Sequence, residues 1–117
     1  MPCADCLGRY ADAVRLLRET TPIMEKGATQ EPVKMYNVAC FHAMIAKYLL
    51  ASGKRAEVIR EAEAESASAA QWLRKAVDTG FLKVDMIKTD TDLEILRSRD
   101  DFKKIVADAE AMAARKK

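Results

Sequence analysis

Cys3 and Cys6 stand in a C-x-x-C spacing, the spacing of zinc sites and thioredoxin-type redox pairs. Zinc needs a second pair of ligands, and only Cys40 and His42 remain to supply it. A redox pair needs a strand leading into a helix, and nothing strand-like precedes Cys3. Two small residues in a frayed chain end are the better reading. Cys40 and His42 themselves suggest a thiol nucleophile with its base. At i and i+2 on a helix they point to different sides, which fits a packed cysteine and a histidine in a large-residue position. Glu57, Glu61 and Glu65 recur every four residues, with Glu63 nearby. Carboxylates in a bundle hold two metals when Glu-x-x-His units face one another. With the single histidine on another segment, a solvated acidic face partly balanced by Arg60 is expected. These residues therefore predict no catalytic, cofactor or metal site, and the chain reads as a non-enzyme.

The composition defines the scaffold. The chain has 117 residues, half of them apolar, with only 4 glycines and 3 prolines, so one helical domain with one modest core is expected. Up to Glu31 there are four basic against five acidic residues; to Thr79, seven against five; beyond it, nine against eight. No segment has the basic excess of a nucleic-acid or anionic-membrane binder, so neither partner is expected. Arg115-Lys116-Lys117 suits the end of a helix, where cations meet the negative pole of the dipole. The first twenty residues show no leader-like apolar run, and no stretch approaches the roughly 20 apolar residues of a membrane span. The default location is cytoplasmic. Three cysteines, an odd number, do not suggest a disulfide framework.

Helical periodicity runs through the chain. Leu7, Tyr10, Ala13, Val14 and Leu17 recur on one face of a helix over 7–20, whose end is expected between Pro22 and Gly27. Pro32 opens the next helix, 33–51, because its missing N–H costs little at a first position. There Val38, Phe41, Ile45 and Leu49 form one stripe, and Met35, Ala39, His42 and Ala46 a second, so cover on two sides is expected. A long helix over 54–79 follows, with Ile59, Ala62, Ser66, Ala69, Leu73 and Ala76 facing inward. Its first half is thin in large apolar residues and is expected to project beyond the core. Gly80 ends it, and Phe81 and Leu82 pack back on the last turn. "VDMIK" makes about one turn. Thr91 and Glu94 form a capping box for a short helix from Asp92 to Arg97. Ser98 caps a final helix with Phe102, Ile105, Ala109 and Met112 on its apolar face and Asp100 and Asp101 in its first turn. No segment alternates with period two, so no sheet is expected.

These pairs resemble the tetratricopeptide repeat, a helix–turn–helix unit of 34 residues. Gly8, Tyr10, Ala13 and Leu17 match its second helix, with Thr20 where alanine is usual. Met35, Val38, Ala39 and His42 match its first helix, and Ala69, Leu73 and Ala76 the second helix of that unit. Roughly twenty extra residues lengthen both arms of this hairpin relative to the standard unit. The first unit lacks its first helix. The closing stretch, through Asp90, Asp92, Leu93, Leu96, Arg97 and Phe102, is similar to the segment that ends degenerate repeat arrays in many bacterial proteins, including the tails of some serine/threonine kinases.

The resemblance implies an all-α fold of antiparallel hairpins with short capping helices at the C-terminal end. One domain spans 1–117: a half-repeat helix and connector at 1–32, a long hairpin at 33–80, capping helices at 81–117. It implies a non-catalytic interaction or scaffold module whose partner is a protein, a peptide or a second copy of itself. The alternative is an accessory or regulatory C-terminal domain of a larger bacterial enzyme such as a serine/threonine kinase. The groove positions carried over are Val33, Tyr36, Asn37, Cys40, Met44 and Lys47, with Asn37 where some members hold a peptide backbone or terminal carboxylate. Because stacked units need neighbours, Leu7, Tyr10, Val14, Leu17 and the half-buried Trp72 are the expected self-association contacts.

Overall fold

The computed structural model describes residues 4–53 and 55–115. Its elements are α1 (Ala4–Gly27), α2 (Pro32–Ser52), α3 (Ala56–Thr79), α4 (Val84–Thr89), a 3₁₀ helix (Thr91–Leu96) and α5 (Asp100–Arg115). Among the described residues there is no strand, so the fold is all-α. The Cys3/Cys6 pair lies outside the described side chains.

α2 is the centre of the molecule. Ten of its residues are buried, on both predicted stripes. α1 covers one side, α3 another, and the 3₁₀ helix a third. Pro32 occupies the start of α2, as its fixed φ allows, and the Glu31 carbonyl accepts the first turn's Met35 N–H at 2.9 Å. The α2–α3 contact is rich in alanine: Ala39, Ala43 and Ala46 on one helix, Ala62, Ala69 and Ala76 on the other, all at most 2% exposed. Small side chains let two long helices approach closely, and Val38, Leu73 and Val77 fill the space between them. Long helices laid side by side give the molecule its 51 × 29 × 20 Å extents.

α1 does not stop at Pro22 but runs five residues further. A proline inside a helix removes one hydrogen bond and costs about 3 kcal/mol. Contacts on either side of it offset this: Thr21 before it is buried, and beyond it Met24 packs on the main core and Glu25 reaches His42. The first half of α3 does not project. Val58 and Ala62 join Val14, Leu17, Ile45 and Leu49 in a second, smaller core. Val58 takes the inward place expected of Ile59, which is 47% exposed.

At the far end of α3 the chain reverses sharply. Gly80 adopts φ 123°, a conformation that side chains with a Cβ rarely reach. Its N–H bonds the Val77 carbonyl at 3.0 Å, and the Phe81 N–H bonds that of Ala76 at 2.9 Å, the paired geometry of a Schellman cap. Phe81 is thereby turned back onto Tyr36, with ring centroids 4.3 Å apart and planes 10° from parallel. Ile87, Leu93, Leu96, Phe102 and Ile105 then bury the tail on the hairpin. Two caps differ from expectation. Asp90, not Thr91, caps the short helix, accepting the Asp92 N–H on Oδ1 at 3.0 Å, and the element is 3₁₀. The last helix starts at Asp100, and Arg99, whose carbonyl accepts from Lys103 N–H, holds the cap position expected of Ser98.

Candidate functional site

Two polar clusters lie against α2, and they sit on different sides of it as the i, i+2 spacing of Cys40 and His42 requires. The first joins α2 to the tail. The Tyr36 hydroxyl donates to Asp90 Oδ2 at 2.6 Å, and the Cys40 thiol lies 3.9 Å from the same oxygen. Arg97 Nη2 donates to the Asp90 carbonyl at 3.0 Å. Asp90 thus caps the 3₁₀ helix with one carboxylate oxygen and grips α2 with the other. Burial, then the Asp90 hydrogen bond, raises Tyr36 far above the usual phenol range. Burial, then the nearby charges of Asp90 and Asp92, pushes the Cys40 thiol up to about 12. Asp92 is also raised, by burial and by Asp90, with Lys47 opposing.

The Cys40 sulfur and the carboxylate oxygens of Asp90 and Asp92 lie within 4.8 Å of one another, close enough to converge on one cation. A metal ligand must be a thiolate, and so must a nucleophile. Burial and the neighbouring carboxylates favour the protonated thiol, which makes Cys40 a poor nucleophile, and Asp90 is already engaged by Tyr36 and by the Asp92 N–H. The arrangement is that of a buried hydrogen-bonded latch. Alkylation with iodoacetamide at pH 8 is accordingly expected to leave Cys40 unmodified in folded protein and to modify it in urea. Peptide mapping by mass spectrometry reads this residue separately from Cys3 and Cys6. Modification of Cys40 in the folded state would contradict the latch.

The second cluster ties three helices together. His42, on α2, is 9% exposed. Its Nε2 lies 2.7 Å from Glu25 Oε1 on α1, and its Nδ1 lies 3.3 Å from Glu65 Oε2 on α3. Both ring nitrogens therefore face carboxylates, which only an imidazolium can satisfy with two N–H donors. Burial lowers its pKa, but the hydrogen bonds from Glu65 and Glu25 outweigh that, and the net shift is upward. Glu65 is therefore not part of a solvated acidic face. Of its neighbours, Glu61 meets Arg18 of α1 at 3.6 Å and Glu63 meets Arg99 at 2.6 Å.

The expected contact residues divide. Of the groove positions, Val33, Asn37 and Lys47 are exposed and Met44 is half-buried. Tyr36 and Cys40 are buried under the tail, which occupies the place left for a partner. Of the expected self-association residues, Val14 is buried within the chain, Leu17 packs in the same small core, and Tyr10 stacks on Tyr48 at 6.0 Å. These three are used against α2 and are not free for a second copy. The side chain of Leu7 lies outside the described residues. Trp72 is half-buried on the main core, with Lys75 Nζ 4.3 Å from the centre of its ring. Among the described side chains of α1, the large hydrophobic ones left exposed are Leu16 and Ile23, at 57% and 71%. Sequence reasoning missed them, although "RLLRE" held the signal: two adjacent leucines cannot both face α2.

The fold and these clusters define an all-α protein whose polar groups brace helices against one another. Compared with known proteins, the chain matches no protein-family model, no curated protein and no solved structure. Among the described residues no helix is long and apolar enough to cross a membrane.

Proposed function

We propose that the chain is a non-catalytic protein–protein interaction module of the tetratricopeptide type and that it self-associates through the outer side of α1. The observation carrying this reading is the bare pair Leu16 and Ile23, seven residues and two turns apart on one helix face. Asp12 and Lys26 lie beyond them on the same face. In an antiparallel pairing, Leu16 of one copy meets Ile23 of the other, and Asp12 meets Lys26. The order of charges and apolar residues along this face is self-complementary, which a two-fold interface requires. Val33, Asn37 and Lys47, exposed on α2, remain accessible to a protein or peptide partner.

Absolute mass by light scattering behind size exclusion tests this. The expected wild-type mass is twice the 13.0 kDa of one chain. The Leu16→Glu/Ile23→Glu variant is expected to run as a single chain with unchanged circular dichroism. A monomeric wild type would sink self-association. It would favour the second reading, an accessory or regulatory C-terminal domain of a larger bacterial enzyme such as a serine/threonine kinase. One observation favours that alternative: the tail closes over the α2–α3 hairpin while α1 keeps an apolar outer side. A preceding helix of the same protein would then cover Leu16 and Ile23.

A further inference from the structure

Two clefts flank the first half of α5. One, of ≈ 380 Å³, lies between α3 and α5, with Ala70 and Ile105 as apolar lining and Arg74, Lys75, Lys104 and Asp101 around it. The other, of ≈ 310 Å³, opens over Phe102 and Val106, and its polar lining is wholly basic: Lys88, Arg97 and Lys103. Asp101 is the one carboxylate in either lining, and Arg99 engages it at 3.0 Å; the hydrogen bond holds its carboxyl below the usual range. Arg74 is paired with Asp108 and Asp78, and Lys88 with Glu110. Lys75, Lys103, Lys104 and Arg97 have no carboxylate partner among the described residues, and Arg97 also keeps a buried Nε without an acceptor. α5 therefore has an apolar floor on each flank, and four cations without a carboxylate partner stand around them: Lys75 of α3 and Lys104 at one cleft, Arg97 after the 3₁₀ helix and Lys103 at the other, on a chain whose overall charge is only +2.

We propose that this surface docks an acidic amphipathic segment of a partner protein, with an apolar side chain in the α3–α5 cleft and carboxylates on Lys75, Lys103, Lys104 and Arg97. Charge complementarity selects that occupant. A nucleic acid calls for a continuous basic track and exposed stacking faces, whereas these floors are small and aliphatic apart from the buried Phe102. The inference rests on reading the chain as a contact module, yet it uses a face remote in sequence from α1. Its failure therefore leaves the mass measurement above untouched, and the reverse holds too.

The single tryptophan, beside the α3–α5 cleft and under Lys75, is a built-in reporter. The probe is a dye-labelled synthetic helix with leucines on one face and glutamates on its flanks. Titrated against full-length protein at low salt, it is expected to give saturable anisotropy and a shift in Trp72 emission. The Lys103→Glu/Lys104→Glu variant is expected to bind about tenfold more weakly or worse, with unchanged circular dichroism. Arg55→Glu/Arg60→Glu, two exposed positions at the start of α3, is the charge-matched control and is expected to bind as wild type. No saturable binding, or equal loss in the two variants, overturns the site. Tighter binding of a DNA duplex, of phosphatidylserine vesicles or of poly-glutamate overturns the assignment to an amphipathic protein segment.

Discussion

Replacing Asp90 with alanine is expected to destabilise the chain by about 2–4 kcal/mol, measured by urea unfolding. The substitution removes the acceptor of the Tyr36 hydroxyl and the neighbour of the Cys40 thiol, both on side chains at most 5% exposed. A buried donor left unmade costs about 1–3 kcal/mol. It also removes the cap of the 3₁₀ helix, worth about 1 kcal/mol. Asp90→Asn keeps one of the two acceptor oxygens, enough for the cap, so its loss should be smaller. Equal losses in the two variants would show that one acceptor oxygen is not enough to hold the tail down. Iodoacetamide should then reach Cys40 in folded Asp90→Ala protein, because the lid over α2 is loosened.

The second large effect is linked to pH. In the folded state His42 has a pKa above its ordinary 6.5, because Glu65 and Glu25 stabilise the imidazolium more than burial disfavours it. A group whose pKa is raised on folding binds its proton more tightly in the native state. Its contribution is complete below the unfolded value and is lost as pH rises through the folded one. Unfolding free energy is therefore expected to decline as pH climbs from about 6.5 through the folded value. A neutral ring has one N–H, so one of the two carboxylates then faces a lone pair. His42→Leu should lose about 2–3 kcal/mol near pH 6, less than a fully buried pair because Glu25 keeps 34% of its side chain exposed. It should also lose the downward slope above that pH. A variant that retained the slope would show that another group sets it.

How much of this was legible from sequence depended on whether the deciding contacts were local. Pro32 and Gly80 mark helix boundaries by their own backbone preferences, and the two stripes of α2 announce a helix covered from several sides. The inward faces of α5 and of α3 from Ala62 onward follow from spacing alone, while at the start of α3 Val58 and not Ile59 turns inward. The course of α1 beyond Pro22 does not, because the compensation comes from Thr21, Met24 and the Glu25–His42 contact, which no local rule contains. Glu65 reads as one of a solvated row until His42 is placed opposite it. Tyr36 and Cys40 read as an open groove until Asp90, some fifty positions away in the chain, is folded onto them. Likewise, periodicity marked Tyr10, Val14 and Leu17 as a contact face but could not say that α2 of the same chain would take it. The cleft beside α5 needed two helices set side by side before its charges could be seen to gather.

The alanine seam between α2 and α3 bears on how this chain can change over generations. At Ala39, Ala43, Ala46, Ala62, Ala69 and Ala76 there is almost no smaller residue to move to and no room for a larger one. Glycine weakens the helix by about 1 kcal/mol, and added methyl groups must force two long helices apart at about 1–3 kcal/mol or more. Drift is thus nearly closed at the seam. The outer faces, including Leu16, Ile23 and the lysines of α5, face no such restriction from packing. The same scaffold can accordingly be re-addressed to new partners by surface substitution alone, while its hairpin keeps one fixed spacing.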